Sequence, residues 1–169
     1  IEGESMIARA LRLYASVPFT VRICVVRAEP GEIARLAREN GFTLAINPDP
    51  ERGVGTSVSI GTQTALLLEP QLEGILYAVA DQPYLQRDSV LRLLEAYAED
   101  AQRIVALSYG GARGNPVVFP EPLWGSLMQL KEDIGGGAVI RRYPEMLRLV
   151  EAGSARELED VDTRATKPD

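Results

Sequence analysis

The sequence predicts one α/β domain built around a mostly parallel sheet. Short apolar segments typical of strands alternate with amphipathic segments typical of helices along the 169 residues, and this alternation indicates βαβ units. The segment "GILYAVA" (74–80) is apolar on both faces, as expected for a strand of a parallel sheet that helices cover on both sides. The length suits one core, so we expect a single domain over 1–169 with a loose tail at 163–169.

Periodicity and end signals justify each element of the first half. Leu11 and Tyr14 lie at helical spacing on one apolar face of the first helix. The second helix has a Pro-Gly start signal and an Asn-Gly stop signal. β-Branched residues favour strands between the helices. The predicted elements are helix 4–16, strand 19–26, helix 30–40, strand 42–46, helix 56–69 and strand 74–80.

The second half continues the same alternation. Val90, Leu94 and Tyr97 lie on one side of the next predicted helix. A pair of strands, two further helices and a closing strand follow it. The predicted elements are helix 87–100, strand 103–109, strand 115–120, helix 121–130, helix 135–144 and strand 147–152.

The inventory of reactive side chains restricts the chemistry. The chain has no histidine, which excludes Ser-His-Asp and Cys-His catalysis and zinc bound by imidazole. The single cysteine, Cys24, allows no internal disulfide and no Cys-rich metal site, and we interpret it as a small core residue. Carboxylates, hydroxyls, amides and arginines remain. This set suits Mg²⁺-dependent phosphate chemistry, because a hard cation prefers oxygen ligands.

Charge and hydropathy restrict the partners. The net charge is −6, which disfavours nonspecific binding of nucleic acid because such binding requires a basic face. No apolar run approaches the ~20 residues that a membrane span requires, and the first residues do not resemble a secretory signal. We therefore expect a cytoplasmic protein that binds neither nucleic acid nor membranes.

Asp81 is the first candidate for a functional residue. It ends the apolar run "ILYAVA", and Pro83 follows it in the sequence. In parallel sheets, ligands bind beyond the carboxyl ends of the strands, so one interpretation is that Asp81 holds a metal ion there. The alternative is a local turn, which is common for an aspartate that precedes a proline-containing turn. Since Pro83 disfavours a helical Gln82, we expect the chain to turn over the sheet edge.

The segment "NPDPERGVGTSVS" is the second candidate. Gly53 and Gly55 would let the backbone approach a ligand closely. Thr56, Ser57 and Ser59 lie at a predicted helix amino terminus, where free N–H groups favour anions or polar ligand atoms. The alternative is a plain Ser/Thr cap after a loop. The segment is not a Walker A loop, because no Gly-Lys-Ser/Thr follows.

Three further segments carry polar or flexible residues in suggestive positions. In "GGARGNPVVFP", Asn115 starts a short strand, and the alternative is a hairpin with an Asn turn. In "KEDIGGGAVI", Asp133 and Gly135 precede a helix and form either a phosphate cradle or a mobile loop. In "LEDVDTRA", Asp160 and Asp162 would project to the same side if the chain is extended.

Taken together, these segments resemble the molybdenum cofactor cytidylyltransferase family, within the wider group of molybdopterin-type nucleotidyltransferases. The resemblance spans nearly the whole chain, and the motifs occur in the family's order. "DQPYL" resembles the family's Asp-x-Pro metal motif, and "GNPVVFP" resembles its Gly-His/Asn-Pro-Val-x-Phe segment. The other matching segments are "GESMIARAL", "NPDPERGVGTSVSIG", "EDIGGG" and "DVDT".

The resemblance implies a fold, a reaction and partners. The fold would be a three-layer, Rossmann-like α/β domain similar to the nucleotide-diphospho-sugar transferases. The reaction would be the Mg²⁺-dependent transfer of CMP from CTP to molybdenum cofactor (molybdopterin), with release of pyrophosphate. The implied partners are CTP or GTP, a molybdopterin-type acceptor and a molybdenum hydroxylase.

The resemblance also implies a role for each candidate residue. Asp81 and Asp162 would be the catalytic Mg²⁺ ligands, with Asp160 as the alternative second ligand. The segment 53–59 would face the base and ribose, and the strand start at 115 would face the acceptor. The binding residues implied in this way are Gly53, Gly55, Thr56, Ser57, Ser59, Asn115, Asp133 and Gly135.

The chain departs from the family pattern in several places. The family's first strand and its Gly-rich, Arg- and Lys-bearing triphosphate loop would precede residue 1. Glu132 stands where the family has glycine, Gly137 where it often has arginine, and Arg164 where it usually has proline.

Three alternatives to cytidylyl transfer stay open. Guanylyl transfer is the nearest, but the guanylyl relatives usually carry Gly-Pro-Leu where this chain has "GVGTSVS". A sugar-nucleotide pyrophosphorylase would usually be longer. A non-catalytic module that binds nucleotide or cofactor for a molybdenum hydroxylase is the alternative from another class.

Overall fold

The chain forms six α-helices and six strands in the computed structural model, which describes residues 3–27 and 31–161. Each predicted helix and strand is present, in the predicted order. None of the described helices is long and apolar enough to cross a membrane. The elements are α1 Met6–Ala15, β1 Ile23–Val26, α2 Glu32–Glu39, β2 Thr43–Ile46, α3 Val54–Leu68, β3 Ile75–Tyr77, α4 Arg87–Glu99, β4 Ile104–Tyr109, β5 Ala112–Phe119, α5 Trp124–Met128, α6 Gly136–Arg142 and β6 Leu147–Glu151.

The described strands form two sheets of mixed direction. Strands β1 and β2 pair in parallel, and the second sheet has the order β3-β5-β4-β6. Strand β6 runs parallel to β4, whereas β5 runs antiparallel to both β3 and β4. The sheet is therefore less uniformly parallel than the alternation predicts. The reason is local: Gly110 and Gly111 both have positive φ and allow a tight turn that sends β5 back along β4.

Strand β3 is shorter than the predicted strand 74–80. It pairs with β5 from Ile75 to Tyr77, and residues 78–80 are exposed. The register would place residue 78 opposite Pro116, which has no N–H to donate to the ladder. Among the described strands, β3 has no partner on its other side. The carboxyl end of β3 therefore lies open beside the residues that follow it.

The second sheet is covered on both faces, which makes three layers. Side chains of β4 alternate between the faces, so that Ile104 and Ala106 belong to one core cluster and Val105 and Leu107 to the other. Helices α1 and α4 supply the first cover, and α5 and α6 supply the second. The α/β fold predicted from the sequence is confirmed by this arrangement.

Helix α3 links the two sheets. The hydroxyls of Thr62 and Tyr77 lie 2.6 Å apart, which ties α3 to β3. At the preceding residue of α3, a Cβ atom on Gly61 would lie 3.2 Å from a methyl group of Val25 in β1. The helix therefore packs on both sheets and fixes their relative position at the edge where the candidate residues lie.

Candidate active site

Asp81 lies just beyond the carboxyl end of β3. Asp81 lines a cavity of about 580 Å³ together with Val79, Ala80 and residues 5–7 at the start of α1. The Oδ1 atom of Asp81 is buried and has no hydrogen-bond partner among the described residues. An acceptor left unsatisfied in a protein interior is costly. Oδ1 of Asp81 is therefore an acceptor that the described residues leave unsatisfied.

The segment 155–161 brings a second carboxylate to Asp81. The backbone N–H of Val161 donates to the carbonyl oxygen of Asp81 at 2.8 Å, so that Asp160 lies next to it. Loss of hydration, and then the negative charge of Asp81, raise the pKa of Asp160. Asp160 is exposed overall, whereas Asp162 lies outside the described residues. The structure thus brings Asp81 and Asp160 together.

Glu157 anchors this segment to the sheet edge. Its carboxylate is buried, and it accepts backbone N–H groups from Gln86 at 2.9 Å, Gly153 at 2.6 Å and Ser154 at 3.2 Å. The guanidinium of Arg156 lies 3.9 Å from the centre of the Tyr84 ring and adds a second attachment. Asp160 is therefore held at the site by contacts on its amino-terminal side.

A second cavity, of about 420 Å³, lies beside Asp160. Asn115, Gln82 and Asp160 line it, together with Arg113 and Tyr109. The amide nitrogen of Gln82 donates to the carbonyl oxygen of Asn115 at 3.2 Å, whereas its Oε1 atom is buried without a partner among the described residues. Asp81 thus lines one cavity, and Asp160 lines the other.

Gly53 and Gly55 pack against the loop 131–135 and not against an open cavity. The N–H of Gly55 donates to the carbonyl oxygen of Glu132 at 2.7 Å. A Cβ atom on Gly55 would lie 2.5 Å from the carbonyl oxygen of Ile134, and one on Gly53 would overlap the backbone of Glu132. Gly53 also has a φ of 109°. Both positions therefore require glycine because a side chain would collide with the backbone of the loop 131–135.

Thr56, Ser57 and Ser59 lie inside helix α3, which begins at Val54 and not at Thr56. Buried Asn47, at the end of β2, donates to Thr56 Oγ1 at 3.0 Å and to Ser57 Oγ at 2.9 Å. Ser59 donates to the carbonyl oxygen of Met128 at 2.5 Å. Ser59 therefore fastens α3 to α5. Ser57 keeps a hydroxyl proton for which the described residues provide no acceptor.

Asp133 and Gly135 lie in the loop that contacts Gly53 and Gly55. Gly135 precedes helix α6, and its Cα lies against the side chain of Val54, since an added Cβ would be 3.4 Å from a Val54 methyl. Asp133 is exposed. The structure thus brings the segment "NPDPERGVGTSVS" into contact with the segment "KEDIGGGAVI".

The donor set at Asp81 fits a hard divalent cation. Both carboxylates offer oxygen ligands, and one buried oxygen of Asp81 has no other partner within the described part of the chain. No group of three or more His, Cys, Asp or Glu residues that could hold a metal occurs within 3–27 and 31–161. Mg²⁺ is often bound by one or two carboxylates together with substrate phosphates. The pair is sufficient for a site of that kind.

Sequence reasoning missed several residues at this edge. Asn47 follows β2 as Asp81 follows β3, so the same rule about strand ends could have identified it. Glu157 completes a Ser154-x-x-Glu157 capping box, which is a recognisable sequence signal. Gln82 and Arg113 carry no such signal, because only the folded chain brings them to one cavity.

The sequence matches the profile of the MobA-like NTP transferase domain over residues 1–147. The chain therefore belongs to this family, and its class is that of the nucleotidyltransferases. A comparison with curated proteins gives no match.

Solved structures of similar fold cover almost the whole chain. Rv0371c from Mycobacterium tuberculosis H37Rv has a TM-score of 0.74 and 19% identity over 98% of this chain and 82% of that one; Rv0371c is also known in complex with manganese. Mth528, a nucleotidyl transferase of Methanothermobacter, has a TM-score of 0.72 and 20% identity over 95% of this chain and 76% of that one. A CMP:2-keto-3-deoxy-manno-octonic acid synthetase complexed with CTP has a TM-score of 0.67 and 13% identity. The match covers 98% of this chain and 85% of the synthetase chain. These likenesses show the fold.

Proposed function

We propose that the protein transfers CMP from CTP to the phosphate of a molybdopterin-type molybdenum cofactor, with Mg²⁺ bound and with release of pyrophosphate. One observation carries the proposal: in an NTP transferase fold, Asp81, with a buried unpaired oxygen, lies beside Asp160, and each of the two residues lines a cavity. A transfer between two substrates requires two binding spaces that meet at the reacting atoms. Localisation to the cytoplasm is part of the same proposal.

In this proposal, each of the two cavities binds a different substrate. The cavity beside Asp81 and the start of α1 takes the phosphates of CTP, and the segment 53–59 faces the base and ribose. Within that segment, the unassigned hydroxyl proton of Ser57 is the donor available to the nucleotide. The cavity lined by Asn115 takes the acceptor. The loop with Asp133 and Gly135 supports the nucleotide segment from behind.

The reaction requires positioning and charge compensation more than proton transfer. An oxygen of the acceptor phosphate attacks the α-phosphorus of CTP, and the bond from that phosphorus to the bridging oxygen breaks. Pyrophosphate leaves with the electron pair. A phosphate nucleophile is already ionised, so a chain without histidine suffices. A divalent ion bound by Asp81 and Asp162, or by Asp160 in place of Asp162, would supply positive charge opposite the triphosphate.

Similar proteins support the metal and the nucleotide. Rv0371c has been solved with manganese, and the 2-keto-3-deoxy-manno-octonic acid synthetase has been solved with CTP. The segment "GVGTSVS" favours cytidine over guanine, since it lacks the Gly-Pro-Leu turn of the guanylyl relatives. A molybdenum hydroxylase would then receive the product.

The test measures pyrophosphate release with CTP, GTP and ATP in parallel, with molybdopterin-type cofactor as acceptor and Mg²⁺ present. We expect CTP to give the highest kcat/KM and mass spectrometry to detect the cytidylylated cofactor. A higher kcat/KM with GTP would reassign the protein to guanylyl transfer. Nucleotide binding without pyrophosphate release from any of the three would support the non-catalytic alternative.

A further inference from the structure

Two arginines converge on one point at the start of helix α6. Arg113 projects from β5 and Arg141 from the last turn of α6. A Cβ atom added to Gly137 would lie 3.3 Å from Nη2 of Arg113 and 3.3 Å from Nη1 of Arg141. The two guanidinium groups are therefore at most twice that distance apart. Because residue 137 is glycine, the space between them contains no side chain.

Neither arginine has a carboxylate to balance its charge within the described ranges. The structure gives no ion pair and no hydrogen bond to Arg113 or Arg141, although most arginines elsewhere in the described chain have such a partner. Both side chains are exposed, so each could move away from the other. Two like charges close together without a counterion favour the binding of an anion between them.

A neighbouring cavity lies beside Arg113. Arg113 lines it, as do Gln82 and Asn115. Gln82 is only 7% exposed, and its Oε1 atom has no partner among the described residues. The ring of Tyr109, 42% exposed, forms part of the same wall. Arg113 and the partly exposed Tyr109 therefore line one space together with Asp160.

We propose that Arg113 and Arg141 bind an anionic group of the acceptor, a phosphate monoester, in the space beside Gly137. Planar guanidinium groups bind phosphate oxygens in pairs, and two of them match the charge of a phosphate dianion. The site explains how an acidic protein holds an anionic substrate next to two carboxylates. This assignment to the acceptor rests on the proposed nucleotidyl transfer, whereas the anion site itself does not.

Binding of inorganic phosphate tests the anion site without any turnover. Phosphate should raise the Tm of the parent protein above its value in chloride at equal ionic strength. In the double variant Arg113→Gln/Arg141→Gln, phosphate affinity measured by calorimetry should fall roughly tenfold or more. Arg142→Gln is the matched control, since Arg142 follows in the same helix turn with its guanidinium over the Tyr143 ring. Equal phosphate affinity in parent and double variant, including no measurable binding by either, would overturn the proposal.

A carboxylate placed at position 137 tests the same geometry from the opposite direction. In Gly137→Asp, the new carboxylate should pair with both guanidinium groups and exclude phosphate. The Tm should rise, and it should rise more in the parent background than in the double arginine variant, since aspartate near a helix amino terminus stabilises both alike. An equal rise in both backgrounds, or phosphate affinity unchanged in Gly137→Asp, would contradict the site.

Steady-state kinetics with molybdopterin-type acceptor then assign the anion. The KM for the acceptor should rise roughly tenfold or more in the double variant, while the Kd of CTP stays at the parental value. An increase in the Kd of CTP with an unchanged acceptor KM would show that the arginines hold the nucleotide, and would overturn the assignment. Arginine-dependent phosphate binding in a parent that transfers no nucleotide would reject the proposed function and leave the anion site intact.

Discussion

Two carboxylates at the same sheet edge, Asp81 and Glu157, have opposite surroundings. Both Glu157 oxygens accept backbone N–H groups, three in all, and the side chain is buried. Asp81 has a buried oxygen with no partner in the described chain, and its neighbour Asp160 is another acid. The fold provides donors to both oxygens of Glu157, whereas the described residues provide none to Oδ1 of Asp81. The first arrangement stabilises the protein, and the second is suited to bind a cation.

The difference distinguishes a carboxylate that the fold hydrogen-bonds from one that has an unsatisfied oxygen at the same edge. A buried acceptor without a partner costs free energy, and this cost is our reason for proposing that Asp81 binds a cation. A fully hydrogen-bonded carboxylate has no free lone pair aimed at a ligand. Substitution of Asp81 should therefore lower mainly the activity, and substitution of Glu157 should lower mainly the stability.

The largest effect is expected for Asp81→Asn, and it should fall on turnover. The amide keeps the shape of the side chain but lacks the charge that would hold a divalent ion. Loss of that charge compensation should cost several kcal/mol of transition-state stabilisation, and each ~1.4 kcal/mol is a factor of ten in rate. We expect kcat for pyrophosphate release at saturating CTP to fall roughly a hundredfold or more, with little change in the Kd of CTP.

The control for this variant is Asp88→Asn, an exposed aspartate in the first turn of α4. It should retain parental kcat. Near-parental turnover in Asp81→Asn would identify Asp81 as a turn residue and remove the contrast with Glu157.

Glu157→Gln should have the opposite profile, with a large loss of stability. The amide places an NH₂ group opposite backbone N–H donors, so at least one of the accepted hydrogen bonds is lost and a donor is left unsatisfied. We expect the free energy of unfolding to fall by about 2–3 kcal/mol. Urea unfolding measures it, with exposed Glu159→Gln as the control. A fall in kcat with unchanged stability would place Glu157 in the reaction instead.

Much of the fold could be predicted from the sequence, because alternation and end signals act locally. The early end of β3 could not, since it depends on Pro116 in a strand that lies far along the chain. The candidate site divides in the same way. Asp81 was identifiable as a strand-end aspartate, whereas its contact with Asp160 depends on the hydrogen bond from Val161. Sequence patterns predict helices and strands, but they do not predict which residues at the ends of those helices and strands come into contact in the fold.

Gly55→Ala extends the contrast to the segment 53–59. The structure explains this glycine by backbone packing, since an added Cβ would lie 2.5 Å from the carbonyl oxygen of Ile134. We expect a loss of about 1–3 kcal/mol in the free energy of unfolding. Gly125→Ala is the matched control, because nothing lies within 4 Å of its added Cβ in helix α5. That substitution should stabilise by about 0.5–1 kcal/mol. A normal stability for Gly55→Ala with a weakened CTP affinity would support direct contact with the nucleotide.

The smallest effect is expected for Asp160→Asn in protein free of divalent metal. Burial and the charge of Asp81 raise the pKa of Asp160, so the folded state holds the proton of this carboxyl more tightly than the unfolded state. Its stabilising contribution is present below the ordinary pKa of aspartate and is lost as the pH rises through the raised value. At neutral pH the charged form is unfavourable, so removing the charge should raise the Tm slightly.

The measurement for Asp160→Asn is thermal unfolding at pH 7 with EDTA and again with Mg²⁺ and CTP. We expect the variant to be slightly more stable than the parent in EDTA and to gain less than the parent from Mg²⁺ and CTP together. The variant should gain less because a bound cation cancels the repulsion between Asp81 and Asp160 in the parent, whereas the substitution has already removed that repulsion. If Asp160→Asn lowers the Tm in EDTA, the two carboxylates do not repel each other in the folded protein. The unfavourable environment that we infer for Asp81 would then not include Asp160.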